Sequence, residues 1–222
     1  MPILRFTVPG EVDVWPTVER VLLGGYTGRR EQDVAVHVAE MQKLGVTSPS
    51  SLPVFYEALP CLLTQGKSVY VVGEDTLPEV EFVLFGFEGR QYVTVGNDQF
   101  DLAIEKHSPA KSKGLCQKVV ATAAWALDEI TDHWDHLHLE LCSRGTILQA
   151  SSVDCILKPA QLLDKARWDC RFDAQAGMLF SGTVPNLSAI DACTRDFTIK
   201  LQDRFLDREI RCDFDVVDVT SR

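Results

Sequence analysis

The run Pro78-Glu79-Val80-Glu81-Phe82-Val83-Leu84-Phe85-Gly86-Phe87 constrains this chain more than any other stretch. Read as a strand, it presents Val83, Phe85 and Phe87 on one face and Val80, Phe82 and Leu84 on the other. A strand apolar on both faces has to be covered on both, which places it inside a layered sheet structure. Glu88-Gly89 suits a two-residue hairpin turn, and Arg90 to Asn97 a returning strand. At the far end Glu79 and Glu81 share one face, roughly 6–7 Å apart. If Phe87 pairs with Arg90, counting back along the ladder sets Asp98 opposite Glu79, with Cβ atoms about 5 Å apart. Three carboxylates then converge with no basic residue among them. Like charges there repel in low dielectric unless a cation or a proton sits between them. A hard divalent cation fits this donor set, Mg²⁺ first with Mn²⁺ as the alternative. The competing reading is a pair of solvated edge glutamates.

Composition narrows the partners. The chain has 222 residues, 45% hydrophobic and 24% charged, enough for one large domain or two small ones with a sizeable core. A net charge of −10 and a pI near 4.9 argue against nucleic acid and against an anionic membrane as partners. Cys61, Cys116, Cys142, Cys155, Cys170, Cys193 and Cys212 are scattered, odd in number and form no CxxC pair. That pattern reads as reduced intracellular thiols, most of them packed as small hydrophobes. The N-terminus alternates like a strand and lacks a signal-peptide core, and no apolar run approaches the ~18 residues of a membrane helix. The expected location is the cytoplasm.

Residues 3–8 read as an opening strand and Val18 to Leu23 as a short apolar element. Gly24-Gly25-Tyr26-Thr27-Gly28-Arg29-Arg30 is a glycine-rich turn without the lysine of a phosphate loop or the spacing of a dinucleotide fingerprint. Glu31 to Leu44 has helical periodicity, with Val34, Val38 and Met41 on one stripe and Gly45 as its stop. Thr47 to Pro53 is the most linker-like stretch. It divides a small N-terminal unit with a cover helix, residues 1–46, from a β-rich domain over residues 54–222. Strands are expected at Ser68–Val72, Glu79–Phe87, Gln91–Asn97, Leu137–Cys142, Thr146–Ala150, Met178–Ser181, Phe197–Leu201 and Glu209–Val217. Arg144-Gly145 and Leu206-Asp207-Arg208 supply turns, and helices within this domain are expected only at Pro159–Ala166 and Leu187–Arg195. Without a strand–helix rhythm the class is α+β, a rolled mixed β-sheet core with few short helices.

Arg30, Asp33, His37 and Glu40 fall at spacings of three and four and make one polar stripe on the first helix. His37 and Glu40 can therefore touch, and a carboxylate beside an imidazole fixes its tautomer and raises its basicity, as a general base requires. The same stripe also fits a solvated helix face with incidental pairs. A second cluster, Asp132-His-Trp-Asp-His-Leu-His138, sets His136, His138 and Glu140 on one strand face, a conceivable zinc arrangement. Packed or solvated histidines at a strand entrance anchored by Trp134 are the alternative.

In order along the chain stand Tyr26, His37-Val-Ala-Glu40, Pro53-Val-Phe55, Glu79-Val-Glu81, Gly96-Asn97-Asp98, Lys113-Gly-Leu-Cys116 and Phe180-Ser-Gly-Thr183-Val-Pro185. This series resembles the fumarylacetoacetate hydrolase superfamily over roughly residues 20–218, as a short branch of it. The resemblance implies that superfamily's fold and a homodimer. It also implies Glu79, Glu81 and Asp98 as metal ligands, and His37 with Glu40 as a catalytic pair. Lys113 is then a catalytic-site cation, and Tyr26 and Thr183 contact substrate. Where the superfamily carries an Ala-Arg-Asp whose arginine holds substrate, this chain reads Asp98-Gln-Phe-Asp101-Leu102; Arg29 or Arg30 is the candidate replacement. The expected activity is Mg²⁺-dependent hydrolysis of a carbon–carbon bond beside a carbonyl, in a β-dicarbonyl or 2-oxo acid. Decarboxylation, hydration or isomerisation of oxo acids on the same site stays open, as does a degenerate binding protein of the same fold.

Overall fold

The expected hairpin forms the middle of the molecule in the computed structural model, which describes residues 1–43 and 51–220. The side chains of His37, Glu40 and Met41 lie outside that description. Strand β1 (Arg20–Gly25) precedes helix α1 (Glu31–Lys43), β2 (Val54–Ala58), β3 (Leu63–Thr64), β4 (Ser68–Val71) and β5 (Thr76–Leu77). The central hairpin is β6 (Val80–Phe87) and β7 (Arg90–Asp98). After it come β8 (Phe100–Asp101), helices α2 (Leu102–Glu105) and α3 (Pro109–Leu115), β9 (Lys118–Val120) and β10 (Trp125–Ala126). The chain continues through β11 (Leu137–Ser143), β12 (Thr146–Ser152), α4 (Pro159–Cys170) and β13 (Gly177–Phe180), then β14 (Asp196–Asp203) and β15 (Arg208–Asp218).

An eight-stranded mixed sheet runs β2-β1-β13-β6-β7-β9-β3, with β10 also paired to β7, and a five-stranded sheet runs β12-β11-β14-β15-β4. The two-faced apolar pattern of β6 follows from this layering. Val80, Phe82 and Leu84 pack in one core with Trp134 and with Leu139 and Ile199 of the second sheet. Val83 and Phe85 turn the other way into a second core with Leu4, Phe6, Met178 and Phe180. Phe82 meets Trp134 edge-on at 5.0 Å, and Phe6 stacks on Phe85 at 4.4 Å. Each such fully buried ring contributes about 2–3 kcal/mol through removal from water. Glu88 and Gly89 hold φ of 49° and 84°, and Arg144 and Gly145 hold 48° and 82°. Two left-handed central residues match the twist of the flanking strands, which is why these dipeptides close hairpins.

Three expectations about elements change. Residues 3–8 do not form a ladder strand: they make isolated bridges, Ile3 with Thr17, Phe6 with Val14 and Thr7 with Ala123, while their alternation still buries Leu4, Phe6 and Val8. No helix forms at Leu187–Arg195. There the Asp191 side chain accepts from Cys193 N at 2.9 Å and its carbonyl from Thr194 N at 2.8 Å, so local turn bonds replace a helical ladder. Conversely, α2 and α3 appear where no helix was expected, each opened by a capping side chain, Asp101 and Ser108. Residues of the expected N-terminal unit enter the common sheet, since β1 pairs with β2 on one side and with β13 on the other. The expected helix stop at Gly45 and most of the linker lie outside the described residues. Among the described residues no helix is long and apolar enough to cross a membrane.

Candidate functional site

The hairpin register is the one counted from the sequence: Phe87 pairs with Arg90, the ladder runs back to Val80 and Asn97, and Asp98 N donates to Glu79 O at 2.9 Å. Side chains hold the open end of the ladder where backbone partners run out. Asn97 Oδ1 accepts from Glu79 N at 2.9 Å, Asn97 Nδ2 donates to Gln99 Oε1 at 3.0 Å, and Gln99 Nε2 donates to Thr76 Oγ1 at 3.0 Å. Gln149 Oε1 accepts from Val80 N at 3.0 Å. All four polar side chains are buried, so each bond is made in a setting where leaving it unmade costs about 1–3 kcal/mol.

This scaffold brings Glu79, Glu81 and Asp98 together, with one oxygen of each within 4.8 Å of the others. They are the only such group of three or more among the described residues. Glu81 and Asp98 are fully buried and Glu79 partly so. Contrary to the expectation from the two strands alone, basic residues do stand among them. Lys113 Nζ, carried in by α3, donates to Glu79 Oε2 at 2.5 Å and to Asp98 Oδ2 at 2.6 Å. Helix α3 is pinned in turn by Ser112, whose Oγ donates to Asp101 O at 2.6 Å and accepts from Asp101 N at 2.9 Å. Lys118 Nζ lies 2.9 Å from Asp98 Oδ1 as an ion pair, outside hydrogen-bond alignment. Glu81 Oε2 accepts from Gly182 N at 2.8 Å, while Glu81 Oε1 is buried without a hydrogen-bond partner.

Electrostatics follow this geometry. Burial, with Asp98 adding to it, pushes the Glu81 carboxyl well above the usual carboxylate range. Burial also acts to raise Asp98, but Lys113 and Lys118 outweigh it and hold that carboxyl below its ordinary value. Lys113 keeps its charge despite burial because Asp98, Glu79 and Glu81 surround it. The donor set fits a divalent cation: three hard carboxylate oxygens converge, Glu81 Oε1 is orphaned in the interior, and an ammonium already lies between two of the carboxylates.

The remaining expected residues divide. Tyr26 follows β1 with φ of 55° and belongs to the same neighbourhood: its hydroxyl is raised by burial and then by Glu105. Thr183 Oγ1 donates to Val80 O at 2.9 Å, so its hydroxyl proton is turned onto strand β6 between Glu79 and Glu81. Arg30 pairs with Asp33 at 2.7 Å on the exposed start of α1, and Arg29 binds Asp135 at 2.8 Å and Ile156 O at 3.0 Å. Neither guanidinium is brought to the carboxylates by these contacts. His37 and Glu40 lie on α1, but their side chains lie outside the described residues. In the histidine cluster, His133 Nε2 lies 3.0 Å from buried Asp203 and its ring stacks on Phe205 at 4.8 Å, Glu140 pairs with Lys200 at 2.9 Å, and among the described residues His136, His138 and Glu140 do not converge as a metal-capable group. Cys116 is buried and its thiol is pushed up to about 11 by burial, the state of a packing residue.

Three residues near the cluster escaped the sequence reading. Lys118 sits opposite Asp98 only because β9 closes on β7, a pairing that no local pattern announces. Glu105 ends α2, and burial followed by the charge of Glu79 pushes its carboxyl up to about 7. Tyr56 on β2, pushed up to about 12 by burial and then by Tyr26, is relieved in part by Lys113 and completes this side of the site.

The Glu105 shift carries a pH dependence. In the folded ion-free chain the carboxyl keeps its proton up to about 7, whereas it ordinarily loses it near 4.5. The unfolded chain binds fewer protons across that window, so stability present below it is lost as pH rises through it. The loss is up to about 3 kcal/mol, and Glu81 adds in the same direction. Denaturant unfolding in EDTA at about pH 5 and about pH 8 should show this decline, and Glu105→Gln should remove most of the Glu105 share. An unchanged decline in that variant would assign it elsewhere.

Solved structures share this architecture. A protein of Oleispira antarctica provisionally named a fumarylacetoacetate isomerase/hydrolase superposes with a TM-score of 0.64 at 17% identity, covering 96% of this chain and 99% of that one. A provisionally named fumarylpyruvate hydrolase of Burkholderia cenocepacia gives 0.66 at 16% identity, with 98% and 96% covered. The apo form of 2-keto-3-deoxy-D-arabinonate dehydratase gives 0.61 at 16% identity, covering 90% of this chain and 73% of that one. The fold is thus that of the fumarylacetoacetate hydrolase superfamily. The chain belongs to the family described as protein of unknown function (DUF2848), whose model matches residues 24–214. No curated protein matches the sequence.

Proposed function

We propose that the protein is a Mg²⁺-dependent enzyme that hydrolyses a carbon–carbon bond next to a carbonyl, in a β-dicarbonyl or 2-oxo acid. The observation that carries this reading is the convergence of Glu79, Glu81 and Asp98 on one point beside Lys113, with Glu81 Oε1 left unpaired in the interior. These three residues would hold the ion, which when bound supplies a Lewis-acid site for the oxygens of a chelating oxo acid. The chain's own residues do the rest. Lys113 adds positive charge where an oxyanion develops in a site of low dielectric. His37, oriented by Glu40, takes a proton from water so that it can attack the carbonyl. Tyr26, Arg30 and Thr183 serve as substrate-binding residues in this reading, with Arg30 and Thr183 released from their present partners. A homodimer in the cytoplasm is the accompanying assignment.

One observation favours a second reading, lyase chemistry on an oxo acid. Glu105, with its carboxyl near 7, is poised to exchange a proton at neutral pH beside the cluster, and one solved structure of this fold is named a dehydratase. The test is turnover of acylpyruvates, β-diketones, oxaloacetate and 2-oxo sugar acids by the Mg²⁺-loaded protein, with products identified by mass. Carboxylic acid and methyl ketone pairs from the acylpyruvates would support hydrolysis; loss of water or CO₂ alone would support the lyase reading. Turnover that persists unchanged in EDTA would exclude both.

A further inference from the structure

Lys118 is fully buried on β9, directly across from Asp98. Its ammonium touches three parts of the site at once. It donates to the carbonyl of Gln99, the residue after Asp98, and to the carbonyl of Lys113 at 2.5 Å, and it pairs with Asp98 Oδ1. Lys113 is held differently. Its Nζ donates to the side-chain carboxylates of Glu79 and Asp98, with the ring of Phe100 5.5 Å away. One ammonium is therefore tied to backbone, and the other is tied to the groups that an incoming cation would claim.

A buried lysine costs several kcal/mol of lost hydration unless its charge is needed. Here the need is visible: three carboxylates meet at the end of a buried hairpin, two of them without solvent. We propose that Lys118 is the permanent counter-ion and positioning residue of this cluster. It allows the chain to fold with the carboxylates empty, and it leaves Lys113 as the exchangeable ammonium that yields when a divalent cation enters. The inference rests on reading Glu79, Glu81 and Asp98 as a metal site. Without Lys118 the chain would depend on the ion for its fold; with it, the ion can come and go.

Melting of wild-type and Lys118→Met proteins, each in EDTA and in saturating Mn²⁺, tests this. In EDTA the variant should melt lower by about 10 °C or more, the usual consequence of stranding a buried charge in a chain of this size. Mn²⁺ should recover most of that loss. A residue that merely clamps two backbone carbonyls would cost the same with and without the ion, and that result would overturn the proposal. If Lys118→Met does not fold in EDTA, Asp98→Asn/Lys118→Met decides. Removing both charges should restore a cooperative melt in EDTA, and failure to do so would mark Lys118 as a backbone clamp. A wild-type protein whose melting ignores Mn²⁺ would instead refute the metal site itself.

Discussion

Asp98→Asn should abolish divalent-ion binding, lowering Mn²⁺ affinity by about 100-fold or more in calorimetric titration, beyond the 10–100-fold typical of groups that only orient a ligand. The substitution keeps shape but removes the charge on which both lysines depend: Lys113 loses a partner at 2.6 Å and Lys118 one at 2.9 Å. It should also cost about 3–5 kcal/mol of stability, because it takes from two buried ammonium groups the carboxylate they share. Glu81→Gln should lose the ion with a smaller penalty, since its carboxyl is already held toward the protonated state by burial and Asp98 and keeps its bond from Gly182 N. Mn²⁺ affinity in Asp98→Asn within a few-fold of wild type would show that the cluster is an ion-pair network rather than a metal site.

His37→Ala is expected to lower kcat by about 10²–10⁴ while leaving Mg²⁺ affinity and the melting temperature nearly unchanged. The residue belongs to α1, which follows the Tyr26 turn. Glu40→Ala should lower kcat less, because an unoriented imidazole keeps part of its function. The double variant should be slowed by less than the product of the two separate losses, since residues acting as one unit are non-additive. Steady-state kinetics on whichever oxo acid is turned over will decide; independent multiplication of the two losses, or normal turnover by His37→Ala, would remove the pair from the mechanism.

What the sequence determined by itself was local. The apolar run 80–87 and the two-residue Glu88-Gly89 turn specify a hairpin, and the length of that turn fixes its register. That register alone sets Glu79, Glu81 and Asp98 on one spot, which is why the acidic triad was readable before any fold was known. The ordered motifs from Tyr26 to Pro185 made the superfamily fold readable as well. Tertiary structure decided what stands around the triad. Lys113 arrives on a short helix fastened by Ser112 to Asp101, and Lys118 arrives because β9 pairs with β7. Glu105 acquires its carboxyl near 7 only through burial beside Glu79. Periodicity reports which face of an element is apolar, whereas the sign of charge at a buried point depends on which distant segments close over it. For this chain the ligands were written in one hairpin, and their counter-ions were supplied by the fold.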